Sequence, residues 1–309
     1  MFKFKTEQRI FDIAGVKVGG QPGQLPTVLI GSIFYHGHKI VIDQKSGNFD
    51  RHRAEELLNR EKEYSEATGN PRIIDICCSY PDAFSKFIDF VANNTDDPIA
   101  IDGTTADVRI AGAKYVYEVG LSERTVYNSI NPHTKEHELE VIRECRIRSA
   151  ILLTLNIKRP TVLGRLEVLN ELLDKARVAN IENILVDTTV LDIPDAGPVS
   201  KAIYLVKEKY GLPAGAGVHN AVDRWKSRAG LSRREYELAS TVANTLAIAM
   251  GADFILYGPI ENAPIAYFLC ALADAYTGFS IRQEYGIRPI VSTHPMFRIF
   301  RRDRVLRLQ

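Results

Sequence analysis

The feature that most constrains this chain is a regular alternation between short apolar runs and longer amphipathic stretches. Eight runs have the composition of buried β-strands and end at polar or turn-forming residues. They cover residues 27–34, 73–79, 99–102, 125–128, 150–156, 184–187, 213–218 and 254–257. Helical periodicity fills the intervals, at residues 54–68, 81–91, 105–118, 135–143, 164–179, 198–210, 234–250 and 263–276. Eight such units predict a (β/α)8 TIM barrel, with residues 1–309 as a single domain.

The main rival is an open, doubly wound sheet. It would usually carry a glycine-rich turn after its first strand, and Gly31-Ser32-Ile33-Phe34 is not such a turn. Several runs are apolar throughout, as parallel strands buried on both faces should be. Ahead of the first unit, residues 11–15 and 16–20 predict a short N-terminal hairpin that closes one end of the barrel.

Composition and charge exclude several classes of protein. The formal net charge is only +1, which argues against nucleic acid as the main partner. We find no run of 18 apolar residues and no signal-peptide core near the N-terminus, so we expect a cytoplasmic protein without a membrane span. The four cysteines lack zinc-ligand spacing, which favours free and mostly buried thiols: Cys77, Cys78, Cys145 and Cys270.

Polar residues collect where the predicted strands end, which in a TIM barrel is the active-site face. They are Asp102 on strand three, Asn128 on strand four, Asn156 on strand five, Asp187 on strand six, and His219 and Asn220 on strand seven, where Gly217 leaves room for a ligand. Carboxylates and amides together match a flat heterocycle that has both donor and acceptor edges. Taken singly, each carboxylate or amide fits equally well as a helix cap or as a loop residue. Helix capping can account for any one of these residues, but it accounts less well for so many of them at one barrel mouth.

Other chemistries fit these positions less well. His36-Gly37-His38 resembles the His-x-His pair of metal-dependent amidohydrolases, but Asn156, Asp187 and Tyr257 stand where that family needs further ligands. We therefore predict no metal, with both histidines in a loop at the rim. No lysine ends a strand, which disfavours a Schiff-base aldolase.

Two segments stand outside the repeat. Residues 223–237 are charged, contain Trp225 and are longer than a usual loop, which fits a lid, a partner surface or a helical extension. The C-terminal tail carries five arginines that fit either a docking site or a solvated face: Arg298, Arg301, Arg302, Arg304 and Arg307.

Five segments are distinctive enough to carry a resemblance. They are Phe11-Asp12-Ile13-Ala14-Gly15 to Gly20-Gln21-Pro22-Gly23, Pro26-Thr27-Val28-Leu29-Ile30-Gly31, Thr68-Gly69-Asn70-Pro71, Ile110-Ala111-Gly112-Ala113 and Tyr127-Asn128-Ser129-Ile130-Asn131. Over nearly its whole length the chain resembles the H subunit of tetrahydromethanopterin S-methyltransferase. It also resembles the soluble methylcorrinoid:tetrahydrofolate methyltransferases of glycine betaine demethylation.

The resemblance implies a site on the pterin-binding pattern of the wider barrel family. That pattern is an Asp, an Asn, an Asp and an Asn ending strands three, four, six and seven, and Asp102, Asn128, Asp187 and Asn220 match it. Asn128 and Asp187 would anchor the pyrimidine edge, Asn220 would lie nearest N5, and Asp102 with a water would relay the proton. His219 departs from the pattern, since a serine is common before that asparagine.

The resemblance also implies the reaction. A methyl group would move from a methylated corrinoid to N5 of tetrahydrofolate in the cytoplasm, catalysed by a homodimer. The corrinoid would arrive on a partner protein, since the chain lacks an Asp-x-His-x-x-Gly cobalamin motif. The alternative is the pterin-binding subunit of a membrane-associated tetrahydromethanopterin:corrinoid methyltransferase complex. A condensation like that of dihydropteroate synthase is disfavoured, because Ala221 and Val222 follow Asn220 where a lysine and an arginine would be needed.

Overall fold

The computed structural model describes residues 1–300, which contain a closed barrel of eight parallel strands and two small antiparallel hairpins. The strands in chain order are β1 (Ile10–Ile13), β2 (Val16–Gly19), β3 (Val28–Ile33), β4 (Val41–Asp43), β5 (Asn48–Phe49), β6 (Arg72–Cys78), β7 (Ile99–Gly103), β8 (Thr125–Ile130), β9 (Ser149–Leu153), β10 (Asn183–Asp187), β11 (Ala214–Ala216) and β12 (Phe254–Pro259). The last strand, β12, pairs in parallel with β3 and closes the ring. The predicted TIM barrel is therefore confirmed.

Helices follow the barrel strands and cover its outside. They are α1 (Arg51–Thr68), α2 (Pro81–Asn94), α3 (Ala106–Glu118), α4 (Glu136–Glu144), α5 (Val162–Val178), α6 (Ala196–Tyr210), α7 (His219–Ala229), α8 (Arg233–Ala249) and α9 (Ala263–Tyr285). Local chemistry sets many of their starts: Asp50, Thr105 and Thr161 each accept a hydrogen bond from a backbone N–H in the first turn of the following helix.

The short hairpin of β1 and β2 plugs the N-terminal end of the barrel. Ile13, Val16 and Val18 are buried in one apolar cluster with the first inward-facing residues of the barrel strands, such as Val28 and Ile73. The same inward face turns polar toward the C-terminal strand ends. The two ends of the barrel thus differ, with a packed apolar floor and a polar mouth.

The structure also corrects two predicted boundaries. Strand β9 ends at Leu153, three residues before Asn156, and β11 ends at Ala216, so His219 and Asn220 open α7 instead of ending a strand. Residues 223–237 are the second half of α7, a turn at Gly230 and the first turn of α8, which confirms the helical interpretation. Of the five tail arginines, Arg298 is described, and Arg301, Arg302, Arg304 and Arg307 lie outside the described residues.

One helix is apolar and long enough to cross a membrane, by length and composition alone. It is the segment Ile260–Tyr285, which contains α9. Most of its apolar window, 61%, is buried inside the protein, as in the core helix of a barrel. Asp274 in this helix accepts hydrogen bonds from Thr27 and Asn70, at the start of the barrel, which ties α9 to the strands.

A buried ion pair fixes the floor of the barrel. The Lys207 ammonium of α6 lies 2.6 and 2.7 Å from the two carboxylate oxygens of Asp253 and donates to the carbonyl of Gly20 beside the hairpin. Both side chains are almost completely buried. The pair therefore joins α6, β12 and the hairpin.

We expect Lys207→Met to lower the free energy of unfolding by about 3–5 kcal/mol, because Asp253 would remain buried without its counter-charge. Urea denaturation of the two proteins measures the difference. In the double variant Lys207→Met/Asp253→Asn the charge is gone, and part of the stability should return. An equal loss in both variants would show that packing, and not the unpaired carboxylate, accounts for the effect.

Candidate functional site

Four neighbouring strands place polar side chains together at the barrel mouth. Ser32 of β3 stands opposite Asp75 of β6, Cys77 of β6 stands opposite Asp102 of β7, and Asp102 stands opposite Asn128 of β8. Because alternate residues of a strand share a face, Asp75 and Cys77 continue the inward row that starts at Ile73. We call Asp75, Cys77, Asp102 and Asn128 the carboxyl cluster.

Direct contacts hold the carboxyl cluster together. The two oxygens of Asp75 accept from different donors: Oδ1 from the Asn128 amide at 3.1 Å and Oδ2 from the Ser32 hydroxyl at 2.7 Å. The Cys77 thiol bridges the two carboxyl groups, at 3.5 Å from Asp75 Oδ2 and 3.6 Å from Asp102 Oδ2. Two carboxyl groups are thus connected through one thiol.

Burial controls the protonation of the carboxyl cluster. It raises the pKa of Asp102 to about 8, and the neighbouring charge of Asp75 contributes to the rise. Burial also raises the pKa of Asp75, although its hydrogen bonds from Ser32 and Asn128 work against this. Two buried carboxyl groups this close cannot both ionise, so they retain one proton at neutral pH, carried by Asp102. Burial raises the pKa of Cys77, and the charge of Asp75 adds to the rise, which keeps the thiol neutral.

The same three side chains also have the spacing of a cation site. The ligand-capable atoms of Asp75, Cys77 and Asp102 lie within 4.8 Å of one another. A cation would have to displace the protons that burial keeps on Cys77 and Asp102. At neutral pH the carboxyl cluster therefore suits a neutral ligand with hydrogen-bond donors and acceptors better than it suits a metal.

Asp187 lies at the carboxyl end of β10 and is 7% exposed. Its Oδ1 accepts from the Thr189 backbone N–H at 2.7 Å, and within residues 1–300 no donor reaches its second oxygen. Burial raises its pKa to about 6, while the Thr189 hydrogen bond and the Arg165 charge oppose the rise. Asp187 therefore offers one available acceptor that is mostly ionised at neutral pH.

The first turn of α7 supplies the third side of the mouth. His219 Nδ1 lies 2.8 Å from the Leu256 carbonyl, an acceptor, so Nδ1 carries the proton and Nε2 is an acceptor. Burial lowers the pKa of His219, which keeps the ring neutral, and the Asp75 charge acts on it across the mouth. The ring packs on Gly258, where an added Cβ would lie 2.5 Å from His219 Cδ2.

Asn220 is exposed and is the second residue of α7. An added Cβ at Gly217 would lie 3.0 Å from its amide nitrogen, so the glycine leaves room for this side chain. Only the backbone of Asn220 has a protein partner in the described part of the chain, the Gly217 carbonyl. Its amide is therefore available to a ligand.

Asn156 is the one predicted polar residue that the structure leaves out of this group. It lies beyond the end of β9, where its amide nitrogen donates to the Gly164 carbonyl at 3.0 Å and its oxygen accepts from the Arg159 N–H at 2.9 Å. Both polar atoms serve the loop before α5. We therefore assign Asn156 a local structural role.

Three contributors escaped sequence analysis: Ser32, Asp75 and Cys77. They lie before the ends of β3 and β6, whereas the sequence-based prediction rests on the residues at which strands stop. The sequence does contain a sign of this site, namely a carboxylate inside the apolar strand Ile73-Ile74-Asp75-Ile76-Cys77. A carboxylate is costly to bury unless it is hydrogen-bonded or paired, so its presence there indicates a functional site.

His36 and His38 lie in the loop after β3, as predicted. His38 is buried and stacks on Tyr35, with 4.3 Å between ring centroids, and its Nε2 lies 2.9 Å from Glu261 Oε1. Its Nδ1 accepts from the Phe34 N–H. The contacts of His38 with Glu261, Tyr35 and Phe34 stabilise the rim, and none of them reaches the carboxyl cluster. All four cysteines are free, as predicted.

Known proteins match both the sequence and the fold. The sequence model of the family "Tetrahydromethanopterin S-methyltransferase MtrH subunit" matches residues 6–290. The H subunit of tetrahydromethanopterin S-methyltransferase from Methanothermobacter thermautotrophicus is 39% identical, over 97% of this chain and 100% of that one. The H subunit of the putative methyltransferase mtx from Methanosarcina barkeri is also 39% identical, over 96% of this chain and 99% of its own length.

Among solved structures, dihydropteroate synthases share the fold. The enzyme of Yersinia pestis superposes with a TM-score of 0.62 at 12% identity, over 87% of this chain and 99% of that chain. The Xanthomonas albilineans enzyme gives a TM-score of 0.60 at 16% identity, over 90% and 99%. At these identities the likeness concerns the barrel alone.

Proposed function

This chain belongs to the tetrahydromethanopterin S-methyltransferase MtrH subunit family, and on that basis we propose that it moves a methyl group between N5 of tetrahydromethanopterin and a corrinoid on a partner protein. Methyltransferase activity is the coarser part of this statement and follows from the family. The observation that carries the rest is that Asp102, Asn128 and Asp187 all lie at or near the carboxyl ends of strands of one closed barrel, with available carboxyl and amide groups.

The pterin that we propose, tetrahydromethanopterin, differs from the one expected from the sequence alone. From the sequence alone we expect tetrahydrofolate, with tetrahydromethanopterin as the alternative. The names of the relatives favour that alternative, since the family and its 39%-identical archaeal member carry it. Because the relatives are named as subunits, we also propose that this chain acts next to a separate corrinoid-binding protein. A cytoplasmic location and a homodimer remain part of the proposal.

The groups of the site fit the edges of a reduced pterin. The available oxygen of Asp187 would accept from the exocyclic amine or from the ring N–H, a charge-assisted hydrogen bond that favours an ionised carboxylate. Asn128 donates to Asp75 through its nitrogen, which leaves the amide oxygen as an acceptor for the ligand. A polar pocket of this kind rejects flat molecules that lack the matching groups.

The carboxyl cluster supplies the proton that this reaction needs at N5. When N5 gives up its methyl group it takes the bonding electron pair and must gain a proton, and in the reverse direction it must release one. Asp102 carries a proton at neutral pH and is linked through Cys77 to Asp75, which accepts from Ser32 and Asn128. A general acid with a pKa near the working pH can both give and recover a proton.

The proposal is tested by calorimetric titration with the two reduced pterins. We expect tetrahydromethanopterin to bind at least tenfold more tightly than tetrahydrofolate. The variant Asp187→Asn should weaken both by roughly tenfold or more, because it loses a charged acceptor and brings an unmatched donor. Asp174→Asn, on the exposed face of α5, serves as the matched control and should change neither. Tight binding of neither pterin would overturn the proposed function.

A further inference from the structure

A cleft of about 750 Å³ opens beside the barrel mouth, outside the carboxyl cluster. Its walls come from rim segments of the first and last barrel units and from the start of α8, with Arg60 of α1 at one side. It lies next to the carboxyl ends of β3 and β12, which, like β6 and β9, contribute none of the matched pterin-pattern residues. In the strand order of the barrel, β12 lies across from β8, so a ring held against Asn128 can extend a substituent toward this side.

The cleft carries an excess of positive charge. Four cations line it, Lys39, Arg60, Lys226 and Arg233, against two carboxylates. Both carboxylates already have partners: Glu237 pairs with Arg233 of the same cleft at 2.8 Å, and Glu261 lies 2.9 Å from His38.

The remaining cations are available. Lys226 lies over the Tyr236 ring at 4.6 Å, and within residues 1–300 neither Lys39 nor Arg60 has a carboxylate within ion-pair distance. Unneutralised cations that share one concave surface attract anions more strongly than the same charges on an open surface. The charge of the lining therefore favours an anionic ligand.

One residue joins the cleft to the mouth. The Tyr35 hydroxyl lies 3.5 Å from Glu261 Oε1, in the cleft wall, and its ring stacks on His38. Burial raises the pKa of Tyr35, and the charge and hydrogen bond of Glu261 add to that rise. Tyr35 follows β3 by two residues, and Ser32 of the same strand donates to Asp75, so Tyr35 lies between the cleft and the carboxyl cluster. A ligand can extend from the mouth past Tyr35 into the cleft.

We propose that this cationic cleft binds the anionic tail of the reduced pterin whose ring occupies the mouth. The proposal rests on the proposed function, and it adds the chemical class of the second half of the substrate. Tetrahydromethanopterin has such a tail, with a phosphate and carboxylate groups. The cleft makes tail charge, and not only the ring, a determinant of affinity.

The test uses two ligands that share the ring and differ in the tail: tetrahydromethanopterin and 6-methyltetrahydropterin, which has none. In the double variant Lys39→Gln/Arg60→Gln we expect affinity for tetrahydromethanopterin to fall roughly tenfold and its salt dependence to weaken. Affinity for 6-methyltetrahydropterin should stay within about twofold. The control Arg53→Gln/Lys62→Gln removes two exposed cations of α1 that do not line the cleft, and it should leave both affinities unchanged.

Each other outcome has a distinct meaning. Equal losses for the two ligands, or no loss for either, would overturn the tail assignment and leave the ring site intact. If Lys39→Gln/Arg60→Gln binds both pterins normally but is impaired in methyl transfer from the corrinoid protein, the cleft binds an acidic surface of that partner. The assignment of the cleft to the pterin tail would then be wrong. If wild-type protein binds neither ligand, the proposed function itself fails.

Discussion

The variant Asp102→Asn is expected to lower the rate of methyl transfer by roughly 100-fold to 1,000-fold, as is usual for loss of a general acid. Asparagine keeps the shape of a protonated Asp102 and can still accept from the Cys77 thiol, but it cannot deliver a proton. Single-turnover kinetics with methylated pterin as the donor measure the effect. In the wild type this rate should fall as pH rises above about 8, where Asp102 loses its proton, and the variant should lack that fall.

The same variant is expected to be more stable than the wild type. The pKa of Asp102 is raised in the folded state, so between about pH 4, its unfolded value, and pH 8 the folded protein holds a proton that the unfolded chain releases. Stability from this group is therefore complete at low pH and is lost as pH rises through that window. Asp102→Asn removes the dependence, and its melting temperature should exceed that of the wild type by about 3 °C or more at pH 8.

The stability difference should shrink toward pH 5. Scanning calorimetry at both pH values therefore separates the carboxyl effect from a general change in packing. A variant that loses activity and also melts earlier at every pH would contradict the protonated-carboxyl assignment. It would show instead that Asp102 is ionised and stabilised in the native protein.

The second large effect is expected for Asn220→Ala, which should reduce the rate about 100-fold while pterin affinity changes by no more than a few-fold. The Asn220 amide is exposed at the mouth with no protein partner among the described residues, so it has no structural contact to lose. A contact made mainly in the transition state affects the rate and leaves ground-state binding almost unchanged. Rates at saturating pterin and calorimetric affinities together test this separation.

Asn156→Ala is the matched control for Asn220→Ala. It removes the same amide group, but from an asparagine whose two polar side-chain atoms are already hydrogen-bonded within its own loop. It should lower the melting temperature and leave the rate at saturating pterin unchanged. Loss of pterin binding in Asn220→Ala, or a large rate effect in Asn156→Ala, would reverse these two assignments.

The barrel could be predicted because its information is local and repeated. Each apolar run carries its own strand signal, and all eight were found, since burial on both faces leaves little room for polar residues. The two-stranded pair β4 and β5 was missed because strands of two and three residues have no periodicity to detect. The strand end at Asn156 was placed too late, because Thr154 and Leu155 extend the apolar run although β9 stops at Leu153.

The site could be predicted only in part because its contacts join distant parts of the chain. Asp102, Asn128 and Asp187 were found as strand ends, but the bond from Asn128 to Asp75 links residues 53 positions apart. The raised pKa of Asp102 also depends on Asp75 and on burial, neither of which the strand-end rule contains. His219 looked like a departure from a pattern, whereas its ring rests on Gly258 of the last strand.

The plugged floor has a kinetic consequence. With Ile13, Val16 and Val18 filling one end of the barrel, the described structure leaves a single entrance for both reactants. A macromolecular methyl carrier bound over that entrance would cover the pterin beneath it. Turnover would then follow a compulsory order: pterin binds first, the carrier binds and dissociates, and only afterwards is pterin exchanged. An excess of the carrier should therefore slow the reaction by trapping pterin inside.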